Sequence, residues 1–229
     1  MAQFTRLLLT LGIMLFASVA NAQNSVYIDQ IGSNSTIDVT QTGTDNKLGD
    51  STIKTVLYGN NQLVTISQVG SYNLSAINAQ GNNLTLTSNV TGDSNQVNVA
   101  CGATGGAGAA CNDTTITATA TGSSNIINVT GNGKGTIGAS VTGDTNNVHI
   151  TSNTTNLNGS VATVTQTGGN ANIINVTQDG PAGLNGFVAT VDVTGGGNSI
   201  GVTQGGTIDS TVNIKSVGSN NSITVHSSN

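Results

Sequence analysis

Tryptophan and glutamate are absent from this 229-residue sequence, proline occurs once (Pro181), and only 7% of residues are charged. Aromatic residues contribute 3%, and five Lys and Arg face ten acids, all Asp, for a formal net charge of −5. A chain so poor in cations lacks the electrostatic footprint of a nucleic-acid binder. The scarcity of strong helix formers excludes a helical protein. Low charge combined with regular β-branched residues also excludes plain disorder, whose signature is high charge with low hydrophobicity. What is abundant is Gly (31), Thr (35), Asn (31) and Ser (22), just over half the chain, with Val (22) and Ile (18) supplying most of the apolar remainder. That composition describes an all-β chain, one that works outside the cytoplasm.

Residues 1–22 read as a cleaved signal peptide. Arg6 precedes an apolar run from Leu7 to Ala20, and Ala20-Asn21-Ala22 places small residues where a signal peptidase reads. The run is too short to span a bilayer comfortably, since a spanning helix needs about 20 residues. The alternatives are a membrane anchor or an N-terminal core strand. Gln23 is therefore expected as the mature N-terminus, and no membrane span is expected beyond it. An outer-membrane barrel would need two aromatic girdles. Residues 23–229 keep only Phe187, Tyr27, Tyr58 and Tyr72.

Self-similarity dominates the remainder. A Gly followed two or three residues later by Asn recurs throughout, as in Gly43-Thr-Asp-Asn46, Gly70-Ser-Tyr-Asn73, Gly92-Asp-Ser-Asn95, Gly122-Ser-Ser-Asn125, Gly143-Asp-Thr-Asn146 and Gly195-Gly-Gly-Asn198. Shorter versions stand at Gly32-Ser-Asn34, Gly168-Gly-Asn170 and Gly218-Ser-Asn220. Gly and Asn tolerate positive φ, so each motif is a tight turn. Both flanks alternate apolar and polar residues, the mark of half-buried strands. Before the turn stand Val26/Ile28/Gln30, Val64/Ile66/Gln68, Ile116/Ala118/Ala120, Ile137/Ala139/Val141 and Val212/Ile214/Ser216. After it come Ile37/Val39, Val97/Val99, Ile127/Val129, Val148/Ile150, Ile174/Val176, Ile200/Val202 and Ile223/Val225.

Turn glycines Gly32, Gly43, Gly59, Gly70, Gly81 and Gly92 succeed one another at steps of 11, 16, 11, 11 and 11. Gly122, Gly143, Gly168, Gly195 and Gly218 step by 21, 25, 27 and 23, the same unit counted in pairs. Such regularity predicts a β-solenoid of stacked strand-turn-strand coils, two strands per coil, with roughly eight coils. Residues 101–111, Cys-Gly-Ala-Thr-Gly-Gly-Ala-Gly-Ala-Ala-Cys, read as a loop inserted into one coil. The repeat resumes beyond them, so 23–229 is expected to be a single domain.

The arm pattern Gln-x-Gly-x-x-Asn, with the next Gln eleven residues on, resembles the curlin repeat of curli-type amyloid fibres. Gln30 and Gln41 stand eleven apart around Gly32, while Gln41-Thr-Gly43-Thr-Asp-Asn46 and Gln68-Val-Gly70-Ser-Tyr-Asn73 match in full. Gln166-Thr-Gly168 and Gln178-Asp-Gly180 match its start, and the Gln position becomes Val90, Ala120, Val141 and Val193 elsewhere. The resemblance implies a secreted, cell-surface fibre subunit with roles in adhesion and biofilm matrix. Its partner would be a second copy of itself, added by end-to-end stacking, alongside a nucleating or surface partner. Low net charge, a single Pro and stacked Asn and Gln agree with a chain that adds to its own ends. The first repeat begins three residues after the expected cleavage site and the last apolar pair closes near Asn229, so no capping unit is expected.

Chemistry is sparse by comparison, and neither catalysis nor a cofactor is expected. His149 and His226 sit next to apolar strand positions, which places them on the opposite, solvated face. No G-x-S-x-G elbow occurs. Asp93 and Asp144 share one turn position, as the repeat alone would produce. Gly105-Gly-Ala-Gly108-Ala-Ala110 has the glycines of a calcium nonapeptide without its Asp, so no metal site is expected. Cys101 and Cys111 bracket a Gly/Ala loop in an exported chain and are expected to pair as a disulfide, two free thiols being the alternative. A second function class is a monomeric solenoid that binds a surface or carbohydrate, or ice. The T-x-T row Thr115, Thr117, Thr119, Thr121 points toward ice, and is expected in this one arm, with Asn, Ser, Lys and Asp in its neighbours.

Overall fold

The structure is a computed structural model and describes residues 23–31, 34–49, 55–58, 61–79, 84–100, 115–131, 135–153, 160–179 and 186–228. Among these residues lie nineteen strands and no helix. In the first half they are β1 (Ser25–Val26), β2 (Ile28–Ile31), β3 (Thr36–Thr42), β4 (Lys47–Leu48), β5 (Thr55–Tyr58), β6 (Leu63–Val69), β7 (Leu74–Asn78), β8 (Thr85–Thr91) and β9 (Gln96–Ala100). Then follow β10 (Thr115–Thr121), β11 (Ile126–Gly131), β12 (Gly135–Thr142), β13 (Asn147–Asn153) and β14 (Ser160–Thr167). The last are β15 (Ile173–Asp179), β16 (Phe187–Thr194), β17 (Ser199–Gly205), β18 (Ser210–Val217) and β19 (Ser222–Ser227).

The chain is a two-sheet β-solenoid. Nine strands form one sheet in the order β1-β4-β7-β9-β11-β13-β15-β17-β19, and eight form the other in the order β18-β16-β14-β12-β10-β8-β6-β3. Every pairing is parallel, and strands alternate between the sheets along the chain, so one coil is one strand of each. Eight strands in the second sheet agree with the eight coils expected. A small ribbon, β2 with β5, continues the first two layers of the nine-stranded sheet. No helix of the described residues is long and apolar enough to cross a membrane.

The sequence pattern explains the register. Apolar residues at every second position face the partner sheet, and identical positions of successive coils lie side by side. One column runs Val97, Ile127, Val148, Ile174, Ile200 and Ile223. All but Ile223 are fully buried or nearly so, and each such side chain contributes roughly 1.5–3 kcal/mol by leaving water. His149 is half-buried and His226 exposed, each on the outer face. Replacing Val148 with Ala is therefore expected to cost about 2 kcal/mol through the void it leaves. Replacing His149 with Ser should stay within about 0.5 kcal/mol. Urea titration of both variants checks this, and reversed effects would shift the strand register by one residue.

One assignment from the repeat pattern is corrected. Val26, expected to precede a Gly-Asn turn, stacks on Leu48 in the nine-stranded sheet, where the other members follow the turn. Ile37 and Val39, expected to follow a turn, stack on Val64 and Ile66 in the eight-stranded sheet. A coil has two bends, and in the first half four of the five glycine steps are eleven residues long. Gly spacing alone therefore does not say which bend a glycine occupies. Gly32, Gly180, Cys101 and Cys111 lie outside the described residues, and so does the 101–111 segment. On either side of that segment, β8 pairs with β10 and β9 with β11 in unbroken register.

Candidate functional site

At one bend the turns stack into a continuous polar ladder. Asn46, Asn73, Asn95, Asn125, Asn146, Asn172 and Asn198 are all buried there. From Asn46 to Asn172 each side-chain oxygen accepts two bonds from the next coil, and Asn198 Oδ1 accepts one, from the Asn221 N–H. Asn125 donates from its backbone N–H (3.0 Å) and its Nδ2 (3.1 Å) to Asn95 Oδ1, and Asn146 repeats this on Asn125 Oδ1 at 2.9 and 3.1 Å. The second Nδ2 proton goes upward to the next coil's glycine carbonyl, Asn125 to Gly143 at 2.7 Å and Asn95 to Gly122 at 2.7 Å. Both donors and the acceptor of the amide are thereby used, which is what burying it requires. Aspartate has no side-chain N–H and could not replace it.

The glycine is required at the same bend. Gly43, Gly70, Gly92, Gly122, Gly143 and Gly195 have φ between +108° and +120°, and the next coil lies against the face where a Cβ would stand. A Cβ on Gly122 would collide with the Gly143 carbonyl, and one on Gly43 with that of Gly70. The residue before each Asn is left-handed too, including Asp45, Tyr72, Ser94, Ser124 and Thr145. Asp93 and Asp144 serve the same bend, their Oδ1 atoms accepting from the backbone N–H of Ser71 and Ser123, both at 2.7 Å.

Two turns depart from the sequence reading. Between β14 and β15 there is one extra residue. Gly169, not Gly168, stacks between Gly143 and Gly195, and Asn172, not Asn170, enters the ladder. Asn170 instead accepts from the Asp144 N–H through Oδ1 at 2.8 Å, the part Asp144 itself plays one coil earlier. In the last turn Asn221, rather than Asn220, bonds Asn198 Oδ1 (2.9 Å). Gly-x-x-Asn spacing holds at both, as Gly169-Asn-Ala-Asn172 and Gly218-Ser-Asn-Asn221.

Glutamines close both ends of the core. Gln68 and Gln166 are buried in the eight-stranded sheet, with Gln41 half-buried beside Gln68 and donating to its Oε1 at 2.6 Å. Gln166 donates to the Thr142 carbonyl at 2.9 Å. Gln178 belongs to the nine-stranded sheet and donates to Gln204 Oε1 at 3.0 Å. Gln204, equally buried, escaped the sequence reading although Gln204-Gly-Gly206 repeats Gln-x-Gly. Gln30 is exposed on β2, opposite Leu57.

The outer face of the eight-stranded sheet differs from the expectation. Thr115, Thr117 and Thr121 of β10 lie beside Thr85, Thr87 and Thr91 of β8. On the other side stand Thr136 and Thr142, with Gly138 and Ser140 between them. Thr163, Thr165 and Thr167 of β14 and Thr190 and Thr194 of β16 continue the same surface. The threonine row is thus a field several coils deep, because outward positions at period two fall in columns that the linear sequence does not display. No group of three His, Cys or Asp among the described residues is placed to hold a metal ion.

Among the described residues the ladder reaches back to Asn24. Asn24 Oδ1 accepts from the Asn46 N–H at 2.9 Å, and β3 leads from the far bend to Gly43. Residues 22–43, this same coil, match the family model described as the curlin associated repeat. Over this segment the chain is similar to a curlin repeat. No curated protein and no solved structure matches the chain. The matched segment spans about one turn of the solenoid, and the following described coils stack on it with the same Gly-x-x-Asn bend.

Proposed function

We propose that this protein is a secreted structural subunit of an extracellular, curli-like amyloid fibre, serving adhesion or a biofilm matrix. The observation that carries the reading is the ladder. Its buried Asn, Gln and backbone bonds join each coil to the coil before and the coil after it in one repeating pattern, so the ladder has no internal reason to stop. Parallel in-register stacking of like residues is the arrangement of cross-β fibres. Among the described residues the outermost strands of each sheet, β1 and β19, β3 and β18, pair on one side only. Unpaired strand edges are templates for a further chain. The curlin repeat at 22–43 supports the same reading, since that repeat characterises curli fibre subunits. A leader at 1–22 and a Cys101–Cys111 bond would fit export. Incubating purified residues 23–229 and following fibre formation by electron microscopy tests it, and a protein that stays monomeric would refute it.

The threonine field favours a second reading, an ice-binding solenoid. Coils repeat at about 4.8 Å and alternate residues of a strand at about 6.7 Å, a hydroxyl-and-methyl grid close in dimensions to the oxygen repeats of ice prism faces. Five coils by four columns cover on the order of 500 Å² on those spacings, less than the roughly 800 Å² per partner of a standard protein interface. Thermal hysteresis that disappears in Thr117→Lys, while circular dichroism is unchanged, would establish this reading. Absence of hysteresis would remove it.

A further inference from the structure

Resting on the fibre reading, we infer that subunits join by strand exchange, with β19 of one copy taking the place of β1 and β2 in the next. Apart from the β2–β5 ribbon, the described strands alternate between the two large sheets and number nine in one and eight in the other. Consider first a simple stack in which β1 of the second copy lies on β19. Its β3 then sits two layers above β18, and the eight-stranded sheet has a slot one strand wide at every junction. If β3 instead lies directly on β18, both sheets are continuous. In that arrangement β19 and the incoming β1 claim the same layer.

The residues decide which of the two occupies it. β1 has two residues, Val26 is 46% exposed and Ile31 53% exposed. By contrast β19 has six residues, and its Ile223 and Val225 pack against the core. Through the ladder Ile223 occupies the column of Val26 and Leu48, so β19 can lie under β4 without a change of register. The bend gives a second, independent reason. Asn221 follows a complete Gly218-x-x-Asn221 turn and already bonds Asn198 Oδ1. Strand exchange sets that turn directly beneath Gly43-Thr-Asp-Asn46, and Asn221 Oδ1 then accepts from the Asn46 N–H, as Asn24 Oδ1 does within one copy. A Cβ on Gly218 would meet only Asn221 Nδ2, so the surface that every earlier turn glycine offers to the next coil is open there. In the eight-stranded sheet Ile37, Val39 and Gln41 of the incoming copy cover Val212, Ile214 and Ser216. These continue the columns that both sets already belong to.

A reversible lock tests this. Ser25 and Lys47 are register partners on β1 and β4, about 4.8 Å apart at Cα, within the range a disulfide bridges. In the full chain, Ser25→Cys with Lys47→Cys, oxidised, should lose seeded elongation and regain it on reduction. The control, Ser199→Cys with Ser222→Cys, locks β19 to its own β17 and should elongate like wild type in both states. Peptide mapping verifies each bond and circular dichroism the fold. Elongation of the oxidised β1–β4 lock at the wild-type rate overturns strand exchange while leaving the fibre reading intact. A wild type that never elongates overturns the fibre reading itself, and this inference with it.

Discussion

Substituting Gly122 with alanine is expected to break the solenoid at that coil, at a cost of about 4 kcal/mol or more. Two terms add. At φ +111° a residue with a side chain sits in a region that costs about 1–3 kcal/mol. The new Cβ would also run into the Gly143 carbonyl, which is rigid backbone and cannot turn aside. Moving it away withdraws the acceptor from Asn125 Nδ2, now 2.7 Å distant, and a buried polar group left unpaired costs a further 1–3 kcal/mol or so. A nearby control separates conformation from composition. Ser124 has φ 59°, the left-handed region where glycine is at ease, so Ser124→Gly should stay within about 1 kcal/mol of wild type. Urea unfolding of the two variants measures the contrast. Because each coil contacts only its neighbours, hydrogen exchange in Gly122→Ala should rise most in β10 to β13. Equal midpoints for the two variants would mean that the turns do not stack as closely as described.

The other large effect concerns growth rather than folding. Thr224→Pro is expected to stop or sharply slow fibre elongation while the protein remains folded. The Ser199 N–H donates to the Asn221 carbonyl at 2.8 Å. In a parallel ladder alternate residues address opposite neighbours. Residues 221, 223 and 225 therefore serve β17, whereas 222, 224 and 226 present N–H and C=O groups to the open edge. Proline at 224 removes an outward donor and no bond to β17, which is the place where a strand tolerates it. Monomer signal in circular dichroism should be unchanged, and seeded growth followed by light scattering should fall to a small fraction of wild type. Unchanged growth would mean that β19 is not an elongating edge.

Much of this architecture is legible in the residues, and the reasons are local. Period-two alternation of Val and Ile with Thr and Asn reports a strand wherever one face is buried. A turn demanding positive φ can be built from few residues, so Gly122 and Asn125 announce themselves. What is not legible is whatever depends on which coil lies next to which. Val26 and Ile37 were assigned to opposite flanks because two bends of equal arm length look alike in one dimension. At Gly168-Gly169 two adjacent glycines each precede an Asn, and only stacking shows that Gly169 and Asn172 form the turn. The threonine field is spread over residues 85 to 194, and only stacking gathers it. Gln204 carries the plain Gln-x-Gly signal. It stands one coil beyond Gln178, in the same column of the nine-stranded sheet.

Fibre diffraction from residues 23–229, seeded and grown to completion, addresses the central claim most directly. A solenoid that continues its own ladders from copy to copy predicts a sharp meridional reflection at about 4.7–4.8 Å and an equatorial one near 10 Å. Fibres showing both, with growth lost in Thr224→Pro, are the predicted result. A protein that remains monomeric at all concentrations, or aggregates that lack the meridional reflection, would contradict it.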